Sequence, residues 1–158
     1  MKVEVADAGP LPPPRLKDLV RLAESVLHSE LPKTAVPQTR PGKVRADNVR
    51  TDRERSGRDW TVNLVFCENA YIRDLNKRFR KLDKATDVLS FIYDDEDVFG
   101  EIYIATLKAQ KQAPRWKNTF YDELRRLVVH GSLHLAGYDH MNAKDRKAMR
   151  ALEDAYLA

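Results

Sequence analysis

The chain has 158 residues, of which 42% are hydrophobic and 33% charged, and its formal net charge is +4. This length suits one domain with a single hydrophobic core. One cysteine excludes a disulfide framework and any cysteine-rich zinc or iron–sulfur site. No apolar run reaches the length of a membrane span, and the N-terminus lacks the apolar core of a signal peptide. We therefore expect a soluble, cytoplasmic protein.

The N-terminal third of the chain predicts one strand, one helix and a long loop. Lys2–Ala6 alternates in the manner of an edge strand, and Arg15–Glu30 places its apolar residues on one helical face. Leu31–Asp59 contains prolines, glycines and many charged residues but few apolar ones. This composition favours a polar loop inserted between the first helix and the rest of the domain.

From Trp60 onward, strands and helices follow one another closely. Strands are expected at 60–67, 87–93 and 100–106, helices at 68–81, 107–112, 120–136 and 142–157, and an acidic turn at 94–98. Pro114 is expected to stop the second of these helices, and Gly137 to end the third. The order predicts a single α/β (α+β) domain spanning residues 1–158, in which helices pack on a small mixed sheet.

Three of the four histidines lie in the segment HGSLHLAGYDH, residues 130–140. His130 and His134 are four residues apart and therefore share one face of the predicted helix. Gly137 lets the chain turn back, so that His140 can supply a third nitrogen. Three imidazoles with an open fourth position are typical of a catalytic zinc site. We predict one zinc ion per chain, although nickel and cobalt accept the same ligands.

The same histidine spacing occurs in zinc proteases, where a glutamate follows the first histidine and acts as the general base. Here that position holds Gly131, which has no side chain to accept a proton. This difference argues against peptide hydrolysis, with Asp122 and Asp139 as the other candidates for a base. A zinc metallopeptidase with an unrecognised base is therefore the alternative hypothesis.

Three segments resemble motifs of the YbeY family of bacterial endoribonucleases and ribosomal RNA maturation factors. HGSLHLAGYDH is similar to H-G-x-L-H-L-x-G-Y-D-H, and residues 76–91, NKRFRKLDKATDVLSF, are similar to the family's arginine-containing motif. Residues 100–104, GEIYI, are similar to its G-D-[IL]-x-[IL] strand. Ala85 stands where proline is usual, and Glu101 where aspartate is usual. The likeness runs from Trp60 to the C-terminus.

The resemblance implies a zincin-like site and a zinc-dependent, single-strand-specific endoribonuclease that acts in 16S ribosomal RNA 3′-end processing and small-subunit maturation. It assigns the zinc ion to His130, His134 and His140, and catalysis to Arg80 and His130. The implied partners are RNA, especially ribosomal RNA, and the small ribosomal subunit, with no membrane and a monomeric chain. A non-enzymatic RNA-binding assembly factor is a further alternative. Four more residues are predicted to bind RNA: Lys77, Arg78, Lys81 and Ser90.

Several other residues receive structural interpretations. A solvated helix face is the alternative for the basic residues around Arg80. A second acid-free basic stretch surrounds Trp116, for which packing is favoured over stacking on a nucleic-acid base. Thr86 and Asp87 are expected to shape the start of a strand by hydrogen bonding. Asp139 is expected to orient the turn or to hold a ligand imidazole. The basic residues of that second stretch are Lys108, Lys111, Arg115 and Lys117.

Overall fold

A computed structural model describes residues 1–7, 9, 11–31, 60–93 and 98–158. The predicted polar loop, apart from Leu31, and residues 94–97 of the predicted acidic turn lie outside these residues. Four strands form one sheet in the order β1-β2-β4-β3, in which only β3 runs antiparallel to its neighbour. The strands are β1 (Lys2–Asp7), β2 (Thr61–Cys67), β3 (Val88–Ile92) and β4 (Val98–Ala105).

Five α-helices accompany the sheet in the described part of the chain, and this confirms the predicted mixed α/β class. The α-helix expected to stop before Pro114 does end at Gln112, and a 3₁₀ helix that contains Pro114, Ala113–Trp116, follows it. Proline is tolerated there because the first N–H groups of a helix have no partner within it. None of the described helices has the length and apolar character of a membrane span. The helices are α1 (Leu16–Glu30), α2 (Asn69–Arg80), α3 (Thr106–Gln112), α4 (Phe120–Leu135) and α5 (Ala143–Leu157).

Helices cover both faces of the sheet. On one face α1 and α4 bury the largest apolar cluster, in which Leu27, Ile104 and Val128 are fully buried. On the other face α2 packs through Ile72 against Val65, Leu89 and Tyr103. This arrangement is the expected one for a sheet with two apolar faces. As a result, α2 and α4 lie on opposite sides of the sheet.

Helix α4 is the element that carries the predicted metal ligands, and both of its ends are well defined. Thr119 and Asp122 form a capping box at its start, in which the Thr119 side chain accepts from the Asp122 N–H. At its end Gly137 has φ 95°, a conformation that strongly favours glycine. Helix α5 then begins after Asn142, whose side chain accepts from the Asp145 N–H at 2.9 Å. Its Met149 is buried in a cluster with Val129 and Leu133 of α4.

Candidate metal centre

The structure brings His130, His134 and His140 together, and we call these three residues the histidine cluster. One ring nitrogen of each histidine lies within 4.8 Å of one ring nitrogen of each of the other two. Nε2 of His130 lies 3.1 Å from Nε2 of His134. The first two imidazoles come from successive turns of α4, while His140 comes from the segment that follows Gly137. The predicted helix-and-turn arrangement is therefore present.

The orientation of His134 is set by a backbone carbonyl. Nδ1 of His134 lies 2.9 Å from the carbonyl oxygen of Tyr138, which can only accept, so this nitrogen carries the proton and donates. Burial, together with the neighbouring His130 and His140, lowers the pKa of His134 to about 4. The ring is therefore neutral at pH 7, and its Nε2 presents a lone pair to the cluster.

The orientation of His130 is set by Glu153 of α5. Nδ1 of His130 lies 2.6 Å from Oε1 of Glu153. Burial alone would raise the pKa of Glu153, but the hydrogen bond and charge interaction with His130 lower it. The ionised carboxylate accepts the Nδ1 proton and leaves Nε2 facing His134. Carboxylate–histidine pairs of this kind commonly orient zinc ligands.

The histidine cluster fits a tetrahedral metal ion. Zinc–nitrogen bonds of 2.0–2.1 Å place neighbouring ligand nitrogens about 3.3 Å apart, close to the 3.1 Å between His130 and His134. Both of these Nε2 atoms face one another while their Nδ1 protons are engaged elsewhere. When both imidazoles are neutral, their Nε2 lone pairs can be donated to one cation. The donor set therefore suits zinc, cobalt or nickel.

The turn that carries His140 is held from two sides. Oδ1 of Asp139 accepts from the backbone N–H of His140 at 2.7 Å, which confirms that Asp139 orients the turn. The Tyr138 hydroxyl donates to the buried carboxylate of Glu30 at 2.6 Å, and this hydrogen bond, with burial, raises the pKa of Tyr138 to about 12. Tyr156 donates to the other oxygen of Glu30 at 2.6 Å. The ends of α1 and α5 thus fix the turn that carries the third ligand.

Gly131, which follows the first histidine, faces the sheet. A Cβ atom at this position would lie 2.6 Å from Cγ2 of Ile102 and 3.1 Å from Oγ of Ser90. Ser90 donates to the carbonyl oxygen of Gly131 at 3.1 Å, so it belongs to the packing of β3 against α4. Glycine at this position therefore suits the packing of α4 on the sheet, and it also leaves no side chain to act as a base. The other two candidate bases, Asp139 and Asp122, are engaged in the His140 turn and in the α4 cap.

A second polar cluster lies before the histidines on α4, and we call it the Glu123 network (Asp87, Gln112, Asn118, Glu123 and Arg126). The Arg126 guanidinium donates to Glu123 at 2.6 Å, and Gln112 donates to both Glu123 and Asp87, at 2.6 and 2.9 Å. Asn118 donates to the second oxygen of Glu123 at 3.2 Å. Asp87 also accepts from the N–H of Val88, as predicted for the start of β3. Its link to Arg126 was not predicted.

Three basic residues at the end of α2 make polar contacts close by in sequence. Lys77 pairs with Asp83 at 3.2 Å, and Arg78 pairs with Asp74 at 2.9 Å. The Lys81 ammonium donates to the carbonyl of Arg78 at 3.3 Å. These contacts stay within α2 and the segment after it, which agrees with a solvated helix face. Arg80, the last residue of α2, is exposed.

Arg80 and His130 nevertheless flank the same strand. Phe79 stacks on Phe91 of β3 with ring centroids 5.0 Å apart, which places the end of α2 over one face of this strand. The adjacent residue Ser90 points to the opposite face, where it contacts Gly131. Since β3 is an edge strand of the described sheet, the end of α2 and the histidine cluster lie on either side of one sheet edge.

Two functional features were missed in the sequence: Glu153 and the Glu123 network. Glu153 is four residues after Met149 and three before Tyr156, so it falls within the apolar stripe of α5. A carboxylate in such a stripe needs a buried partner, and this was the available signal. The Glu123 network had no comparable signal, because its members come from four separate segments.

Comparison with known proteins agrees with this geometry. The profile of the family described as "Endoribonuclease YbeY" matches residues 33–158. A relative of that name from Desulforamulus reducens is 44% identical over 109 residues, covering 63% of this chain and 71% of the relative. The Thermotoga maritima relative is 43% identical over 100 residues, covering 63% and 67%.

A solved structure is also similar. The solution structure of TM1509 from Thermotoga maritima aligns with a TM-score of 0.53 at 29% sequence identity, covering 99% of this chain and 85% of that one. The family profile covers well over half of the chain, including all the residues of the histidine cluster. On these grounds, the chain belongs to the YbeY endoribonuclease family.

Proposed function

We propose that this endoribonuclease is zinc-dependent and single-strand-specific, and that it acts in the cytoplasm on ribosomal RNA, in 16S 3′-end processing and small-subunit maturation. One zinc ion per monomeric chain would be bound by His130, His134 and His140. The observation that supports the metal requirement is the convergence of three ring nitrogens within 4.8 Å, two of them Nε2 atoms 3.1 Å apart. Membership of the family carries the RNA-cleaving chemistry.

The chain's own residues would prepare the site before substrate binds. When bound, zinc would act as a Lewis acid and lower the pKa of a water ligand. Glu153 and the Tyr138 carbonyl hold the two α4 imidazoles with Nε2 directed at a common point. The hydrogen bonds of Tyr138 and Asp139 hold the turn that presents His140. These contacts reduce the reorganisation that metal binding requires.

Arg80 is proposed to bind the phosphate. A guanidinium matches the geometry of a phosphate better than an ammonium does, because it can donate two parallel hydrogen bonds. Phe79 fixes the end of α2 over the edge strand β3, and the histidine cluster lies behind the same strand. An RNA strand that crosses this edge would meet Arg80 and then the metal centre.

The test is cleavage of single-stranded RNA by metal-stripped and zinc-restored protein. We expect activity only after zinc is restored, one zinc per chain in the wild type and none in His134→Ala. Arg80→Ala should retain zinc and lose at least about 100-fold in kcat/KM, because a charge-assisted contact to the reacting phosphate is removed. Arg21→Ala, an exposed arginine of α1, is the matched control and should behave as the wild type.

Two results would contradict the proposal. Undiminished cleavage after metal removal would exclude the metal requirement, and undiminished cleavage by Arg80→Ala would exclude the phosphate role. Casein-like substrates should not be hydrolysed, since position 131 has no room for the glutamate of a zinc peptidase. Binding of small-subunit particles without any RNA cleavage would favour the non-enzymatic assembly factor.

A further inference from the structure

We propose that a second surface binds the part of the RNA substrate that lies outside the cleaved bond. This Trp116 surface consists of Lys111, Arg115, Trp116 and Lys117, at the end of α3 and on the 3₁₀ helix after it. A base would stack on the Trp116 indole, and the three cations would contact the flanking phosphates. This inference rests on the proposed function and describes how the protein would bind a longer single-stranded substrate.

The first observation is the exposure of Trp116. Its residue surface is 65% exposed, which excludes a core position for this side chain. The other tryptophan, Trp60, is half-buried and packs edge-on against Phe99 with ring centroids 5.2 Å apart. An exposed indole is a large apolar surface in water, and stacking on a nucleic-acid base removes that surface while keeping its flanks solvated.

The second observation is the uncompensated charge around this indole. Residues 106–118 contain no aspartate or glutamate. Lys111, Arg115 and Lys117 are exposed and have no ion pair with any residue in the described ranges. On α2, by contrast, Arg73 and Lys77 share Asp83, and Arg78 pairs with Asp74. The Trp116 surface therefore carries the more available positive charge of the two basic segments, and phosphates complement it.

The third observation is that the Trp116 surface is attached by buried hydrogen bonds to the helix that carries His130 and His134. Gln112 and Asn118, on either side of the 3₁₀ helix, donate to the fully buried Glu123 of α4 at 2.6 and 3.2 Å. Lys108 donates to the carbonyl of Ala85 at 2.8 Å. Glu123 precedes His130 by seven residues, or about 10 Å along α4. The Trp116 surface and two of the three histidines are therefore held by the same helix.

An RNA strand suits these features better than a protein partner does. The surface pairs one flat aromatic group with three long flexible cations, a combination found in single-strand binding platforms. Stacking is tolerant of sequence because every base has an aromatic face. Such a surface would raise the affinity for longer RNAs without favouring a particular base sequence.

The decisive experiment compares short and long substrates in steady-state cleavage. The zinc-loaded wild type should cleave an RNA that extends several nucleotides beyond the cleaved bond on either side with a lower KM than a minimal RNA. Trp116→Ala should raise KM for the long RNA by about 5- to 150-fold and leave kcat and the minimal RNA unchanged. Exchange of Arg115 and Lys117 for glutamate should raise the same KM and reduce the salt slope by about 0.7 for each phosphate that the surface no longer neutralises.

A fluorescence measurement reports binding independently of cleavage. In Trp60→Phe, Trp116 is the only indole, and single-stranded RNA should quench it in a stopped-flow mixture before product forms. In Trp116→Phe, the remaining Trp60 should respond little, since it packs on Phe99. Lys17→Glu, an exposed lysine of α1, is the matched charge control and should keep the wild-type length dependence.

The outcomes separate this inference from the proposed function. If the wild type cleaves RNA but Trp116→Ala keeps the full length dependence, the Trp116 surface does not bind substrate and the inference is overturned. If the wild type cleaves neither RNA, the proposed function fails, and fluorescence still decides: quenching of Trp116 supports RNA binding at this surface, and its absence overturns it. A response to an acidic protein but not to RNA also overturns it.

Discussion

Helix α4 carries two polar clusters, and they are built in opposite ways. In the Glu123 network, each carboxylate oxygen of Glu123 meets at least one donor, from Arg126, Gln112 or Asn118. In the histidine cluster, lone pairs of His130 and His134 converge while their protons point outward to Glu153 and Tyr138. The first arrangement is complete within the protein, whereas the second could hold a metal ion. Complementary polar groups hold a fold together, and convergent acceptors mark a binding site.

The two clusters also differ in charge, because the partners of Glu123 and His134 differ. Burial alone would raise the pKa of Glu123, but hydrogen bonds and charge from Arg126 and its neighbours lower it, so the group stays ionised. Burial of His134 lowers its pKa to about 4, and the Tyr138 carbonyl opposes this only in part, so the ring stays neutral. Arg126 thus keeps Glu123 charged despite its burial near the start of α4, whereas burial keeps His134 neutral near the end of the helix.

Removing Glu123 should produce the largest loss of stability. Glu123→Ala leaves the guanidinium of Arg126 without its main partner, and we expect a loss of about 3–5 kcal/mol in the free energy of unfolding. Urea denaturation of the metal-free protein measures this loss. Because the folded pKa of Glu123 lies below its ordinary value of 4.5, its contribution is present at neutral pH and disappears as the pH falls through the folded pKa. A loss below about 1 kcal/mol would show that the network is not a closed structural unit.

Adding zinc should stabilise the histidine cluster and leave the Glu123 network unaffected. At a zinc concentration about 100 times the Kd, we expect about 2.7 kcal/mol of added stability, or a rise in Tm of about 5–11 °C. His134→Ala should show no rise, while Glu123→Gln should show the full rise from a lower starting Tm. An equal rise in His134→Ala would place the zinc ion elsewhere and break the distinction between the two clusters.

Changing Glu153 should have a smaller effect, limited to metal affinity. Glu153→Gln keeps the size of the side chain but removes the charge that orients His130, and we expect zinc affinity to fall by about 10- to 100-fold. A competition titration with a chelating dye measures this change. Asp154→Asn, at the exposed neighbouring position, is the control and should bind zinc as the wild type does. Unchanged affinity in Glu153→Gln would mean that the hydrogen bond alone positions the ring.

The two clusters also show what sequence reasoning can reach. His130, His134, Gly137 and His140 are close in sequence, so helix periodicity and one glycine sufficed to predict their convergence. Glu153 approaches His130 from a different helix, and its distance depends on how α5 packs on α4. The Glu123 network joins four segments that meet only in the folded chain. Local spacing could predict the ligands but not the groups that orient and support them.

The sequence also did not predict which side of the sheet each helix occupies. Arg80 is predicted to line a cleft with the histidines, and this stays a prediction, since the packing of α2 on the face opposite α4 locates the helix but not the Arg80 side chain. Local sequence patterns do not distinguish the two faces of this sheet, because the apolar face of a helix covers each of them. The aromatic contact of Phe79 with Phe91 locates the end of α2 at the edge strand.

Gly131 has a consequence for how this site can change over evolution. A side chain there would press on Ile102 and Ser90, so these side chains or the helix itself would have to shift to accept one. A glutamate at this position would therefore require repacking between α4 and the sheet beneath it. The spacing between two packed elements thus restricts which reactions descendants of this scaffold can acquire.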